Sequence, residues 1–149
     1  MKIAIGTDMK THVAEAVATE LEKMGHEVTP FGALVQEPAP WPKVALEVAR
    51  RVAAGEFDQG VLFCWTGTGI SLAANKVKGI RAALCCDAET AAGARKWNDA
   101  NILAMSLRST SEAVAREILQ AWFANGPSTD PEDAGCIAWL KEEEEWIFR

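Results

Sequence analysis

Cys64-Trp65-Thr66-Gly67-Thr68-Gly69-Ile70-Ser71 is the segment of this chain best equipped for chemistry. A lone thiol ends the apolar run Gly60-Val61-Leu62-Phe63, a hydroxyl-rich glycine turn follows it, and Leu72-Ala73-Ala74-Asn75-Lys76 continues in a helical pattern. A thiol next to the N–H groups that open a helix is more easily ionised, and as a thiolate it can be a nucleophile or a general base. The same N–H groups and the helix dipole favour negative charge, whether a phosphate or an enediolate oxygen. A cysteine at a strand end is more often a small apolar filler, and a glycine turn is often only a turn. Having the thiol, threonines and turn together weighs toward a site.

The turn excludes some chemistries. Gly67-Thr68-Gly69 begins like a dinucleotide fingerprint, but Leu72 stands where the third glycine belongs, and the turn follows the third strand, not the first. No lysine follows at phosphate-loop spacing, so nicotinamide and nucleoside triphosphate sites are both disfavoured. His12 and His26 lie too far along the chain from Cys64 for a thiol–imidazole dyad. Cys85 and Cys86 are competing thiols, Cys85 read as core and Cys86 as near the cleft. Asp8, just past the first strand, is a helix cap or a ligand for a substrate hydroxyl. Lys10 and Arg108 are candidate anion ligands. Trp97-Asn98-Asp99-Ala100-Asn101 reads as a polar turn, and Glu142 to Glu145 as a solvated helix face.

These residues must be held by elements, and the elements alternate. Strands are predicted over residues 2–7, 26–31, 59–64, 79–85 and 101–106. Helices are predicted over 11–23, 41–54, 68–77, 87–96 and 109–124, with a last helix within 130–149. Residues 32–42 read as a proline-rich loop. Five βα units imply a parallel α/β sheet with helices on both faces. Right-handed crossovers with one reversal of strand order give an open doubly wound, Rossmann-like or flavodoxin-like sheet with a C-terminal helical extension. Ligands of such sheets sit at the carboxyl ends of the strands, so Thr7-Asp8, Cys64-Trp65-Thr66, Cys85-Cys86-Asp87 and Ser106-Leu107-Arg108 should meet in one cleft. The chain reads as one domain, with a core over 1–124 and a tail over 125–149.

Bulk composition narrows the partners. The 149 residues are 49% hydrophobic and 24% charged, as in a soluble domain with a proper core. The net charge of −6 argues against nucleic acid or an anionic membrane. No apolar run reaches transmembrane length. The four cysteines lack metal-site spacing, so no metal is expected, and with no secretion signal their reduced state points to the cytoplasm.

Three stretches resemble the type B ribose-5-phosphate isomerases and galactose-6-phosphate isomerases: Gly60 through Lys76, Gly79-Ile80-Arg81-Ala82-Ala83-Leu84-Cys85, and Asn98-Asp99-Ala100-Asn101-Ile102-Leu103. The opening Lys2-Ile3-Ala4-Ile5-Gly6-Thr7-Asp8 and Gly25-His26-Glu27-Val28 agree, so the resemblance covers residues 1–124 in order and spacing. It implies a homodimer or tetramer with the active site between subunits. The implied reaction is aldose–ketose interconversion through a cis-enediolate, with no metal or organic cofactor. Cys64 falls on the catalytic base, and Gly67, Thr68, Gly69, Ile70 and Ser71 on the loop that holds the enediolate oxygens. Asp8 and Thr66 fall on positions that handle the sugar ring, Asn98 on a hydroxyl ligand and Arg108 on a phosphate-binding arginine.

The chain also departs from the family. Asp8-Met9-Lys10-Thr11 replaces the usual Asp-His-Ala-Gly, Trp97 replaces the histidine that assists ring opening, and Cys86 replaces another histidine. The tail from Asp130 offers only Lys141 and Arg149 where relatives clasp phosphate with basic residues. The expected substrate is therefore one that needs no enzymic ring opening, such as a tetrose phosphate, or an unphosphorylated sugar packed on Trp65 and Trp97. Plain ribose-5-phosphate isomerisation with Lys10 or Arg108 as phosphate ligand, a non-catalytic sugar-phosphate-binding protein and a flavodoxin-like flavin protein are the alternatives.

Overall fold

The computed structural model describes residues 1–148. Five parallel strands, β1 (Lys2–Thr7), β2 (Glu27–Gly32), β3 (Gln59–Cys64), β4 (Ala82–Leu84) and β5 (Ile102–Ser106), form one sheet in the order β2-β1-β3-β5-β4. The helices are α1 (His12–Lys23), α2 (Trp41–Ala53), α3 (Thr68–Ala74), α4 (Ala88–Asn98), α5 (Glu112–Phe123) and α6 (Pro131–Ile147). From β1 the chain steps one way across the sheet, then twice the other way, then back, so strand order reverses twice rather than once. β5 slots between β3 and β4 because the α3 crossover skips a place.

Alternation along the strands divides the core. Ile3, Ile5, Val61, Phe63, Leu103 and Met105 face α1, α4 and α5. Ala4, Leu62, Cys64, Ile102 and Ala104 face α2 and α3. Since β1 and β5 feed helices on one face and β3 feeds α3 on the other, the tip of β3 is a switch point with a crevice to each side.

Hydroxyl and carboxylate caps start the helices where the sequence places them. Thr11, Asp87 and Ser111 accept from the N–H groups of Ala14, Thr90 and Val114. Four segments differ from the predicted bounds. The fourth strand is only Ala82–Leu84, because Asn75 ties both backbone groups of Ala82 on the open edge (2.8 Å each). The third helix stops at Ala74, its C-cap Asn75 serving that edge instead. The 32–42 loop contains a 3-10 turn over Ala33–Val35. The fourth helix runs through Trp97 and Asn98 to a left-handed Asp99 cap (φ +47°), so these two residues are helical and not a turn. The extension α6 buries only Ile137. Ion pairs Arg81–Glu144 (3.1 Å), Lys141–Asp99 (2.8 Å) and Lys78–Glu145 (2.6 Å) fasten it, so part of the run read as a solvated face is spent on cations.

Candidate active site

Cys64 ends β3 in register with Ser106 at the end of β5. Its side chain is almost fully buried and faces the α2/α3 side. Beyond the strands the ladder is extended by loop backbone. Cys64 O accepts from Leu107 N–H (3.0 Å), and Trp65 O accepts from Arg108 N–H (3.0 Å) and from the Ser106 hydroxyl (2.9 Å). The segment after β5 thus splints the backbone that carries the thiol.

Gly67 turns the chain into α3 with φ +77°, a left-handed conformation that suits glycine. The Thr66 and Thr68 hydroxyls bond to each other across it (2.8 Å). Ser71 N–H is the first to pair, with Gly67 O (3.2 Å), which leaves Thr68, Gly69 and Ile70 N–H as the unpaired donors of a helix start. Ile70 is buried beneath the turn, Trp65, Thr66 and Thr68 are exposed above it, and Ser71 reaches Ala82 O (3.4 Å).

Asp8 lies beside this tip, one residue past Thr7, which pairs with Phe63. Its Oδ1 is buried without a hydrogen-bond partner. Burial raises its pKa above the ordinary carboxylate value, outweighing its backbone hydrogen bond. Thr7 Oγ1 fixes the exit from β1 through Met9 (2.8 and 3.2 Å). Lys10 pairs with Glu15 (3.1 Å) at the surface, so an anion there would compete with that carboxylate. Arg108 is exposed and has no carboxylate partner among the described residues. Neither histidine reaches the thiol's neighbourhood: His12 pairs with Glu112, and His26 stacks on Phe123 (4.4 Å) beside the opposite end of the sheet.

Trp97 and Asn98 are not brought to Cys64. They end α4, whose start is on the tip side, and 11 helical residues carry them about 16 Å toward the other edge. There they line a groove of roughly 990 Å³, which runs beside β4 between α3, α4 and α6. None of Asp8, Cys64 or the Gly67–Ser71 turn lines it. Of the β4-tip residues, Cys85 is core, with burial foremost pushing its thiol up to about 12. Cys86 is exposed, its thiol held above the usual range by a hydrogen bond to Asp87 (3.3 Å).

One tip residue escapes the motif. Trp41 opens α2, and a Cβ on Gly69 would stand 3.2–3.3 Å from its indole. Its only mark in the sequence is a tryptophan set between two prolines just before a helical run. No cluster of metal-ligating side chains occurs among the described residues, and none of their helices is long and apolar enough to cross a membrane.

The fold is a doubly wound α/β sheet whose switch point carries a thiol and the start of a helix, the place where such sheets take their ligands. Residues 3–134 match the Ribose/Galactose Isomerase family, and the chain belongs to it. It is 39% identical over 124 residues to a protein of Listeria innocua named ribose-5-P isomerase B (83% of this chain, 84% of that one). It is 36% identical over 125 residues to a D-erythrulose-4-phosphate isomerase of Pectobacterium atrosepticum (83% and 82%). A Clostridium thermocellum ribose-5-phosphate isomerase B structure superposes with a TM-score of 0.89 at 38% identity, covering 99% of both chains. The chain is therefore an aldose–ketose isomerase of the sugar-phosphate type, and the non-catalytic alternative has no support.

Proposed function

We propose that this chain, acting as a single cytoplasmic domain, interconverts a four-carbon aldose phosphate and its ketose, with Cys64 as the base. The thiolate takes the proton from C2 of the open-chain aldose, and the electron pair moves onto O1 of a cis-enediolate. The same thiol returns the proton to C1 while one passes from O2 to O1. The unpaired N–H groups of Thr68, Gly69 and Ile70 hold the enediolate charge, and Asp8 and Thr66 hold the hydroxyls. Trp65 supplies an apolar wall, and Arg108, exposed past the end of β5 and without a carboxylate partner among the described residues, takes the phosphate. Lys10 joins it only by exchanging Glu15.

The observation that carries this reading is the retained Cys64 on a splinted tip without a nearby histidine. A tetrose with a phosphate on its terminal oxygen cannot close into a ring, so it has no need of the imidazole that Trp97 replaces. The erythrulose-4-phosphate relative supports the same size of substrate. Asn98 and Trp97, some 16 Å along α4 from the tips, meet a substrate at Cys64 only if a second copy brings them, so the working unit is a homodimer. The four free thiols support a reducing cytoplasmic location.

A substrate panel tests the reading. Tetrose phosphates are expected to turn over fastest, whereas ribose 5-phosphate or a free sugar surpassing them sinks the four-carbon assignment. Cys64→Ala is expected to abolish incorporation of solvent deuterium into the sugar at unchanged Tm; full exchange would place the base elsewhere.

A further inference from the structure

Gly69 has no backbone reason to be glycine. It is the second residue of α3 and, unlike Gly67, is not in the positive-φ region. Glycine within a helix is destabilising relative to alanine. What crowds a side chain there is Trp41: a Cβ on Gly69 would meet Cδ2 and Cε3 at 3.2 Å and Cε2 at 3.3 Å, so the indole would have to give by a few tenths of an ångström. Near-equal distances to three atoms around the ring fusion place the indole face-on against the Gly69 backbone.

Trp41 is itself rigidly presented. Pro40 precedes it as N-cap and Pro42 follows it, and Pro40 O accepts from Lys43 and Val44 N–H (2.9 and 3.3 Å). Behind it Val44, Ala45 and Val48 pack with Ile70, Ala73 and Ala74 in one buried cluster. Yet Trp41 is 40% exposed, which is poor use of a tryptophan as core filler. The ring ends the α2–α3 seam at the tip side of the sheet, on the face to which Cys64 points.

We infer that Trp41 is a positioning residue for the isomerisation: its indole fixes where the Gly67–Ser71 turn stands relative to Cys64, and Gly69 is the gap that admits it. The inference rests on the assignment of Cys64 and that turn proposed above. It explains a helical glycine and a half-exposed tryptophan with one contact.

The test is steady-state turnover and solvent-deuterium exchange on tetrose 4-phosphates and ribose 5-phosphate, with Tm alongside. Trp41→Ala is expected to lower kcat about ten- to hundredfold, the scale of a small misplacement of reacting groups, with KM changed less than about threefold. Trp41→Phe, which keeps a flat ring, is expected to recover most of that loss. Gly69→Ala is expected to lower kcat by pushing on the ring. Adding Trp41→Ala to it should cost less than Trp41→Ala costs the native enzyme, since the two changes act through one contact. Native kcat in Trp41→Ala, or strictly additive losses, overturns the inference while leaving the isomerase assignment standing. A native protein that neither turns over nor exchanges any of these sugars overturns that assignment, and the inference with it. If Trp41→Ala does not fold, Gly69→Ala decides: a lowered kcat supports the inference and a native kcat overturns it.

Discussion

Gly67 and Gly79 share a backbone conformation but not a neighbourhood, and the pair separates strain from crowding at the turn proposed to hold the enediolate. Their φ angles are +77° and +80°. A Cβ on Gly79 would meet nothing within 4 Å, whereas one on Gly67 would meet Leu84 Cδ1 at 2.5 Å and the Met105 carbonyl carbon and oxygen at 3.0 and 3.1 Å. Alanine in the left-handed region costs about 1–2 kcal/mol at either position. Leu84 is a flexible, part-exposed side chain that can swing away, but Met105 is central β5 backbone and cannot. The residual overlap adds about 1–3 kcal/mol at Gly67 alone. At roughly 2–4 °C per kcal/mol for a chain of this size, Gly67→Ala should melt about 2–12 °C below Gly79→Ala. Relief of the overlap by displacing the turn should also cost about a hundredfold in kcat, while Gly79→Ala keeps native kcat. Thermal melts and turnover of the two variants check this; equal melting losses, or a Gly67→Ala enzyme of native kcat, would refute the reasoning.

Two further outcomes follow from ionisation. Because the folded protein raises Asp8's affinity for its proton, its contribution favours folding below the ordinary carboxylate range. That contribution is lost as pH rises from the unfolded value through the folded one, leaving a constant penalty above it. Asp8→Asn is therefore expected to melt higher than the native protein at pH 7, with the difference shrinking below about pH 4, and to lose activity; a lower Tm at pH 7 would contradict the burial argument. Among the thiols, iodoacetamide at pH 8 should label exposed Cys86 and Cys136 and leave Cys85 untouched in the folded state. Asp87→Asn should speed labelling of Cys86 by removing the carboxylate that holds its thiol protonated. Mass spectrometry of timed digests reads both, and Cys85 labelling as fast as Cys86 would refute the order.

The fold was legible where local rules act alone. Lys2–Thr7 and Gln59–Cys64 begin and end where their apolar runs do, and Thr11, Asp87 and Ser111 cap because their oxygens reach an N–H three residues on. The short β4 was not legible, since what limits it is the Asn75 side chain from another element. Strand order was only half legible. Each crossover's handedness is a local matter, but whether α3 steps over one strand or two depends on where β5 later inserts.

Chemistry at the tips follows the same division. Cys64 and its glycine turn, proposed as base and oxyanion bed, are contiguous, so their types and spacing can be read together from the sequence. Lys10 reads as an anion ligand because nothing in a linear reading weighs Glu15 against a phosphate, and the first turn of α1 brings Glu15 to it. Trp97 and Asn98 looked like neighbours of the site because resemblance transfers residue types without saying which copy of the chain supplies them. A helix of 11 residues turns that omission into about 16 Å. Trp41 was silent for the opposite reason: it touches the turn only after the chain has passed through all of α2 and β3. On the proposed assignment, the residues that run along one stretch of chain specify proton transfer, Trp41 from α2 positions that stretch, and those that converge from the end of α4 are left to specify the sugar. The positions at which this chain departs from its family after β1 and along α4 and α6 lie outside the contiguous turn, so a divergent substrate on a preserved reaction is what this architecture permits most readily.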